Sequence, residues 1–263
     1  MPVLAVDTEF LREKTYYPKL CLVQVSTGEE IAAIDPLSID DLSPLVRLFE
    51  DPKIVKVIHA CSQDLEVLLY GMHCACAPVF DTQLAAAFLG MRQQASYASV
   101  VEHYMGVHLP KTESLTDWSR RPLDPEQLVY AEDDVRYLPD IYRCMYERLM
   151  KTNRLGWLMP EMNAYTAPEN FKRDPKEAYL HLKRSNSLTR RQMALAREIC
   201  AWREERAAQH NIPRKWIISD ETLVEICKRS PATSERLKRI RGTESLSQES
   251  VASILAARRV SCH

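Results

Sequence analysis

Hydrophobic positions fall into short runs near the start of the chain and into helical spacing further on. Residues 3–6 (Val-Leu-Ala-Val), 20–25 (Leu-Cys-Leu-Val-Gln-Val) and 31–34 (Ile-Ala-Ala-Ile) are short and rich in β-branched side chains. They predict three consecutive strands, with Gly28 turning the chain between the last two. Residues 38–49 place Leu42, Leu45, Val46 and Phe49 on one helical face, ending at Asp51-Pro52. Residues 54–58 read as another strand, leading into a helix over 62–71 that Ser62 would cap. Helices are predicted over 82–89, 97–105 and 125–150, the last carrying Leu128, Val135, Leu138, Ile141, Met145 and Leu149. Strands first and helices later imply a mixed sheet flanked by helices.

The period is lost over residues 157–175, where Pro160, Pro168 and Pro175 mark a linker. Beyond it the pattern is wholly helical, over 189–209, 220–228, 234–240 and 248–258, with breaks at Pro213, Pro231 and Gly242. The chain therefore divides into an α/β domain over 1–156, a linker over 157–175 and a small all-α domain over 176–263.

Composition narrows this picture in three ways. At 263 residues and 46% hydrophobic content the chain is long enough for one sizeable core and a smaller companion. It lacks both the roughly 18 uninterrupted apolar residues of a membrane span and a basic, cleavable leader, which predicts a cytoplasmic protein with no membrane contact. The eight cysteines lie mostly in apolar or helical stretches, which suits reduced thiols. His73-Cys74-Ala75-Cys76 has no second ligand pair at zinc spacing and reads as a loop.

Charge is uneven along the chain. Residues 1–160 hold 15 Lys+Arg against 23 Asp+Glu, and residues 161–263 hold 20 against 13. An acidic module joined to a basic one suits an enzyme that gathers carboxylates around cations while attracting phosphates, although chance surface composition gives the same totals.

Candidate chemistry sits in three acidic segments. Asp7 and Glu9 are two apart at the end of an apolar strand and so share one face, where two like charges call for a cation or for solvent. Asp64, in His59-Ala60-Cys61-Ser62-Gln63-Asp64-Leu65-Glu66, falls in a first helical turn, where the helix dipole alone would favour a negative charge. Tyr130 and Asp134 are four apart and stack on one helical face. Each segment is weak alone. Together they bring acids from distant parts of the chain to a common point, as a site for two cations requires, and Mg²⁺ or Mn²⁺ suits an all-oxygen shell.

In these three segments the chain resembles the tyrosine-containing branch of the DEDD exonuclease superfamily, in particular the ribonuclease D family. The likeness extends through Thr15-Tyr16-Tyr17-Pro18, Leu22-Val23-Gln24, Asp81-Thr82-Gln83, Lys111 with Glu113-Ser114 and Asp117-Trp118, and Arg121-Pro122-Leu123. Around Trp216-Ile217-Ile218-Ser219-Asp220-Glu221 the helical part is similar to an HRDC domain. The resemblance implies a ribonuclease-H-like sheet and two divalent cations, with Asp7 bridging both. Glu9 and Asp134 would complete the shell of one, and Asp64 would serve the second, partly through water. Tyr130 would orient the attacking water, releasing nucleoside 5′-monophosphates from RNA 3′ ends. Departures from the family pattern are the six residues before Asp7, where a helix and part of a strand are usual, and the second helical domain that many members carry.

The resemblance further implies RNA partners, tRNA precursors among them, and a monomer. Lys111, Trp118, Arg120 and Arg121 would line the substrate channel, or else Trp118 is packed with the basic residues outside it. Arg190, Arg191, Arg197, Arg203, Arg206, Arg214, Lys215, Lys228 and Arg229, with Trp202 and Trp216, would contact phosphates and bases unless they are core and solvated-face residues. A 3′-5′ deoxyribonuclease and an RNA-binding module that no longer cuts are the competing readings.

Overall fold

The computed structural model describes residues 1–110 and 116–260, which form two compact units. The first comprises Met1–Leu11 and Pro18–Lys172, and the second Arg12–Tyr17 and the chain from Arg173 onward.

In the first unit, β1 (Val3–Leu11), β2 (Lys19–Ser26), β3 (Ile31–Ile34), β4 (Val55–Ile58) and β5 (Val79–Asp81) make one sheet in the order β3-β2-β1-β4-β5. β1 pairs antiparallel with β2 and parallel with β4, which makes the sheet mixed. Alternation along β1 sorts its side chains between two cores. Leu4 and Val6 join Phe49, Leu65 and Leu68, whereas Ala5 joins Val135, Leu138 and Ile141 on the other side. Asp7 and Glu9 continue the series of Ala5 and so project toward the helices on that second face.

Those helices are α3 (Thr82–Phe88), α4 (Tyr97–Met105), α5 (Pro125–Arg136) and α6 (Leu138–Lys151), following α1 (Ser43–Glu50) and α2 (Ser62–Met72) in the chain. The single helix expected over 125–150 is broken at Tyr137. Pro139, in the first turn of α6, has no N–H for the carbonyl of Val135. Helix α1 begins at Ser43 rather than residue 38, with Pro44 in its first turn and Asp41 accepting the Ser43 N–H at 2.9 Å. Ser62 is the first residue of α2 and not its cap; Cys61 holds that position without a side-chain bond. Within the stretch read as linker, α7 (Leu155–Tyr165) forms despite Pro160, burying Leu158 and Met162 in the same core as α6. Among the described residues, no helix is long and apolar enough to cross a membrane.

The second unit is helical: α8 (Arg190–His210), α9 (Arg214–Ile217), α10 (Asp220–Arg229), α11 (Ser234–Lys238) and α12 (Gln248–Val260). Thr189 and Gln192 close a capping box at the start of α8. Leu195, Ile199, Leu223, Ile226, Leu237 and Ile254 share one core. Arg203 is buried within this unit, donating to Asp220 at 2.8 Å and to the Ile218 carbonyl at 3.1 Å. The hexapeptide Arg12–Tyr17 lies between β1 and β2 in sequence but folds with these helices. The Tyr16 hydroxyl donates to Glu204 at 2.8 Å, and Asn211 Oδ1 accepts the N–H groups of Tyr16 and Tyr17. Arg173 stacks its guanidinium on the Tyr16 ring, 4.7 Å from the centroid.

Candidate active site

β1 carries Asp7 and Glu9 on the face that α5 covers, and α5 presents Tyr130 and Asp134 one turn apart on its sheet-facing side. Carboxylate oxygens of Asp7, Glu9 and Asp134 lie within 4.8 Å of one another. Asp64 is not within that tight trio. Its buried carboxylate accepts a 2.6 Å hydrogen bond from Thr8 Oγ1, and it is the foremost of the neighbouring charges acting on Asp7. Thr8 points to the opposite face of β1 from Asp7 and Glu9, so the Asp-Thr-Glu segment serves both sides of the strand.

Burial, followed by mutual repulsion, holds these acids above their ordinary range. Burial raises Glu9 to about 8, with Asp134 and Asp64 adding to the effect. Asp7 is pushed up by burial and then by Asp64, Asp134 and Glu9. Burial raises Asp134 to about 7, while the hydrogen bond donated by the Tyr130 hydroxyl pulls the other way. Burial lifts Asp64 to about 6 against the opposing bond from Thr8. The Tyr130 phenol is raised by burial and then by Asp134, Glu9 and Asp7, so it remains protonated as a donor. Acids converging in this way repel one another unless protonated or matched by positive charge. An all-carboxylate donor set of this kind suits hard divalent cations, so the residues fit such ions.

Backbone packing explains how Asp64 reaches this place. The turn between β4 and α2 carries Ala60 at φ 55 and is pinned from outside by Asp81. Asp81 accepts the Cys61 N–H at 2.8 Å and also caps α3 through the N–H groups of Gln83 and Leu84. His59 is held between Thr82 Oγ1 at 2.9 Å and the Ala95 carbonyl at 3.1 Å. It braces the turn and is not among the clustered acids. Neither Thr8 nor Asp81 has a role assigned from sequence; for Asp81 the signal was there in Asp81-Thr82-Gln83, an acid followed by a hydroxyl residue at a helix start.

A cavity of about 580 Å³ opens beside Tyr130 and Asp134, walled by Tyr97, Leu109, Pro110, Pro125 and Val129. Its apolar walls and acidic end suit a molecule with a flat apolar part and a phosphate bridged by cations.

The expected substrate-channel residues are placed differently. Trp118 is buried against Cys21, Leu22 and Ala131, with its ring 6.1 Å from that of Tyr130. Arg121 is committed to Asp35 at 2.6 and 2.7 Å and to the carbonyls of Cys21 and Trp118. Trp118 is thus packed in a hydrophobic cluster, and the Arg121 guanidinium is engaged by one carboxylate and by backbone carbonyls. Arg120 is exposed, and Lys111 lies outside the described residues. In the second unit several cations expected to meet phosphates already face carboxylates: Arg203 with Asp220, Arg206 with Glu249, Arg214 with Glu204 and Arg229 with Glu225. Trp216 is 62% exposed beside exposed Lys215, while Trp202 packs against the core.

Comparison with known proteins bears on both units. A family described as 3′-5′ exonuclease matches residues 1–150, and the HRDC domain matches residues 192–257. Ribonuclease D of Granulibacter bethesdensis is 42% identical over 242 residues, which make up 92% of this chain and 61% of that protein. The chain thus spans about 61% of the length of that curated relative. The crystal structure of Escherichia coli RNase D, described as an exoribonuclease involved in structured RNA processing, superposes with a TM-score of 0.87 at 34% identity, covering 99% of this chain and 70% of that one. Brucella melitensis NrnC with bound Mg²⁺ is similar at a TM-score of 0.57 and 25% identity, over 72% of this chain and 89% of that one.

Proposed function

This chain belongs to the ribonuclease D family of 3′-5′ exonucleases, and on that premise we propose that it removes nucleoside 5′-monophosphates one at a time from RNA 3′ ends. The observation that carries this reading is the convergence of Asp7, Glu9 and Asp134 within 4.8 Å, with Tyr130 one helical turn from Asp134 on α5 and lining the same cavity.

Asp7, Glu9 and Asp134, with Asp64 behind Asp7, would hold two divalent cations, Mg²⁺ or Mn²⁺. Such ions, when bound, supply Lewis-acid activation of water and stabilise the leaving oxygen in phosphodiester hydrolysis. The remaining work belongs to the chain. Asp7 faces all the other acids and is the ligand best placed to be shared. The Tyr130 phenol, kept protonated, donates to Asp134 and orients the water that attacks the terminal phosphodiester. Thr8 fixes the Asp64 carboxylate, and the apolar walls by Val129 and Leu109 shelter the terminal nucleoside. Structured RNA with trailing 3′ ends, tRNA precursors included, is the substrate class we assign, acted on by a monomer. The name of the Escherichia coli relative supports the RNA part of this reading.

Matched RNA and DNA oligonucleotides, labelled at the 5′ end, test it. Incubation with Mg²⁺ or Mn²⁺ is expected to shorten the RNA in single-nucleotide steps and release nucleoside 5′-monophosphates, and chelation to stop this. Faster digestion of DNA, or products that begin with internal cuts, would overturn the assignment.

A further inference from the structure

Gln24 is fully buried in the middle of β2, and neither its amide nitrogen nor its amide oxygen has a hydrogen-bond partner among the described residues. A carboxamide carries two N–H donors and an oxygen acceptor, and leaving such a group buried and unmatched destabilises the fold. Packing gives no reason to place a glutamine there, because a methionine or leucine fills similar space without that penalty.

Its position supplies the reason. In the β1–β2 register Gln24 is directly opposite Asp7. Residues opposite one another in an antiparallel pair point to the same face, with Cβ atoms about 4.5–5.5 Å apart. Leu22, two residues earlier and opposite Glu9, marks that face by packing against Ala131 of α5. The Gln24 carboxamide therefore lies in the layer between sheet and α5 that holds Asp7, Glu9 and Asp134, at the inner edge of the acid cluster.

We propose that Gln24 is a positioning residue for the cation site, its amide N–H donating to the Asp7 carboxylate when a divalent cation is bound and orienting the oxygens that Asp7 offers to it. This rests on reading Asp7, Glu9 and Asp134 as cation ligands, and it assigns a task to a residue that touches neither cation nor RNA. Groups that hydrogen-bond to metal ligands change metal affinity by about 10–100-fold when removed. An amide also suits the place better than an acid, since it donates to Asp7 without adding negative charge to the cluster.

The test is calorimetric titration of Mn²⁺ into the wild-type protein, Gln24→Met, Gln24→Asn and Asp7→Asn, with thermal unfolding of each in the absence of added cation. Methionine keeps the length of the side chain and removes the amide. Gln24→Met is expected to unfold at the wild-type temperature or above it, because an unmatched polar group is gone, while its Mn²⁺ affinity falls about tenfold. In turnover, kcat should fall with KM for RNA unchanged. A folded Gln24→Met with wild-type Mn²⁺ affinity overturns the proposal. If that variant does not fold, Gln24→Asn decides, because it withdraws the amide by one methylene and must also bind Mn²⁺ more weakly; equal affinity there refutes the role. Absence of any Mn²⁺ uptake that Asp7→Asn abolishes would overturn the cation-site reading itself, and this proposal with it.

Discussion

At the scale of single residues, the site is a set of acids whose charges are unwelcome where they sit, beside a phenol that remains a donor. Tyr130→Phe removes one hydroxyl and no carboxylate. The variant should still bind Mn²⁺, since every carboxylate remains, and at saturating Mn²⁺ its kcat should fall by about 10–100-fold, the range expected when a water loses its orienting partner; single-turnover digestion of a short RNA measures this. The raised acids also dictate a pH dependence. Between the ordinary carboxyl range near 4 and the folded values of about 6 for Asp64, 7 for Asp134 and 8 for Glu9, the folded chain binds more protons than the unfolded one. Without cations, stability contributed by these groups is therefore fully present below the ordinary carboxyl range and is lost as pH rises through the folded values. Cations must displace the same protons, so their affinity should rise with pH until the last of these acids has ionised. Calorimetry in buffers of different ionisation enthalpy counts the protons released, and an affinity that is flat from about pH 6 to about pH 8 would contradict the account. Strand and helix periods place Asp7 with Glu9 and Tyr130 with Asp134 on common faces, but Asp64 has no such partner, and it is the resemblance to the exonuclease family that joins the three segments into one candidate site. Thr8 and Gln24 could not be picked from the sequence, since the importance of each depends on a partner 56 residues away in one case and on strand register in the other.

At the scale of elements, the site depends on how strands and helices end. Asp81 closes β5, caps α3 and holds the turn that aims Asp64. Asp81→Ala should lower stability by about 2 kcal/mol, at the upper end for a lost cap because it also strands the Cys61 N–H. It should weaken cation binding as well, and chemical denaturation together with Mn²⁺ titration would show whether the two losses occur together. The early strands were legible because their β-branched runs are bounded by polar and turn residues. β5, with three residues, is too short to show a period, and the 125–150 helix is divided by one proline that its hydrophobic spacing conceals. Helix α7 was hidden for the opposite reason, since Pro160 reads as a breaker yet sits at the middle of the helix, which the burial of Leu158 and Met162 holds against the core.

At the scale of the whole molecule, the charge asymmetry seen in the sequence persists, since residues 161–263 hold 20 Lys+Arg against 13 Asp+Glu, but four of the cations expected to meet phosphates, Arg203, Arg206, Arg214 and Arg229, are engaged by carboxylates of the same unit. Sequence alone could not separate these from free cations, because their carboxylate partners are 10 to 43 positions away in three of the four pairs. Arg190, Lys215 and Trp216 remain exposed. Arg190→Ala with Lys215→Ala should weaken binding of long RNA at low salt and flatten the dependence of log affinity on log salt by about 0.7 for each phosphate no longer neutralised. An unchanged slope in fluorescence anisotropy would mark this unit as structural. The central claim, however, concerns the acid cluster, and Asp7→Asn tests it most directly, since the substitution keeps shape and removes one charge. Digestion of a 5′-labelled RNA with a trailing 3′ end, in Mg²⁺ or Mn²⁺, should fall by about two orders of magnitude or more, as expected when cation stabilisation worth several kcal/mol is removed, while RNA affinity is retained. Digestion by Asp7→Asn at the wild-type rate would contradict the account.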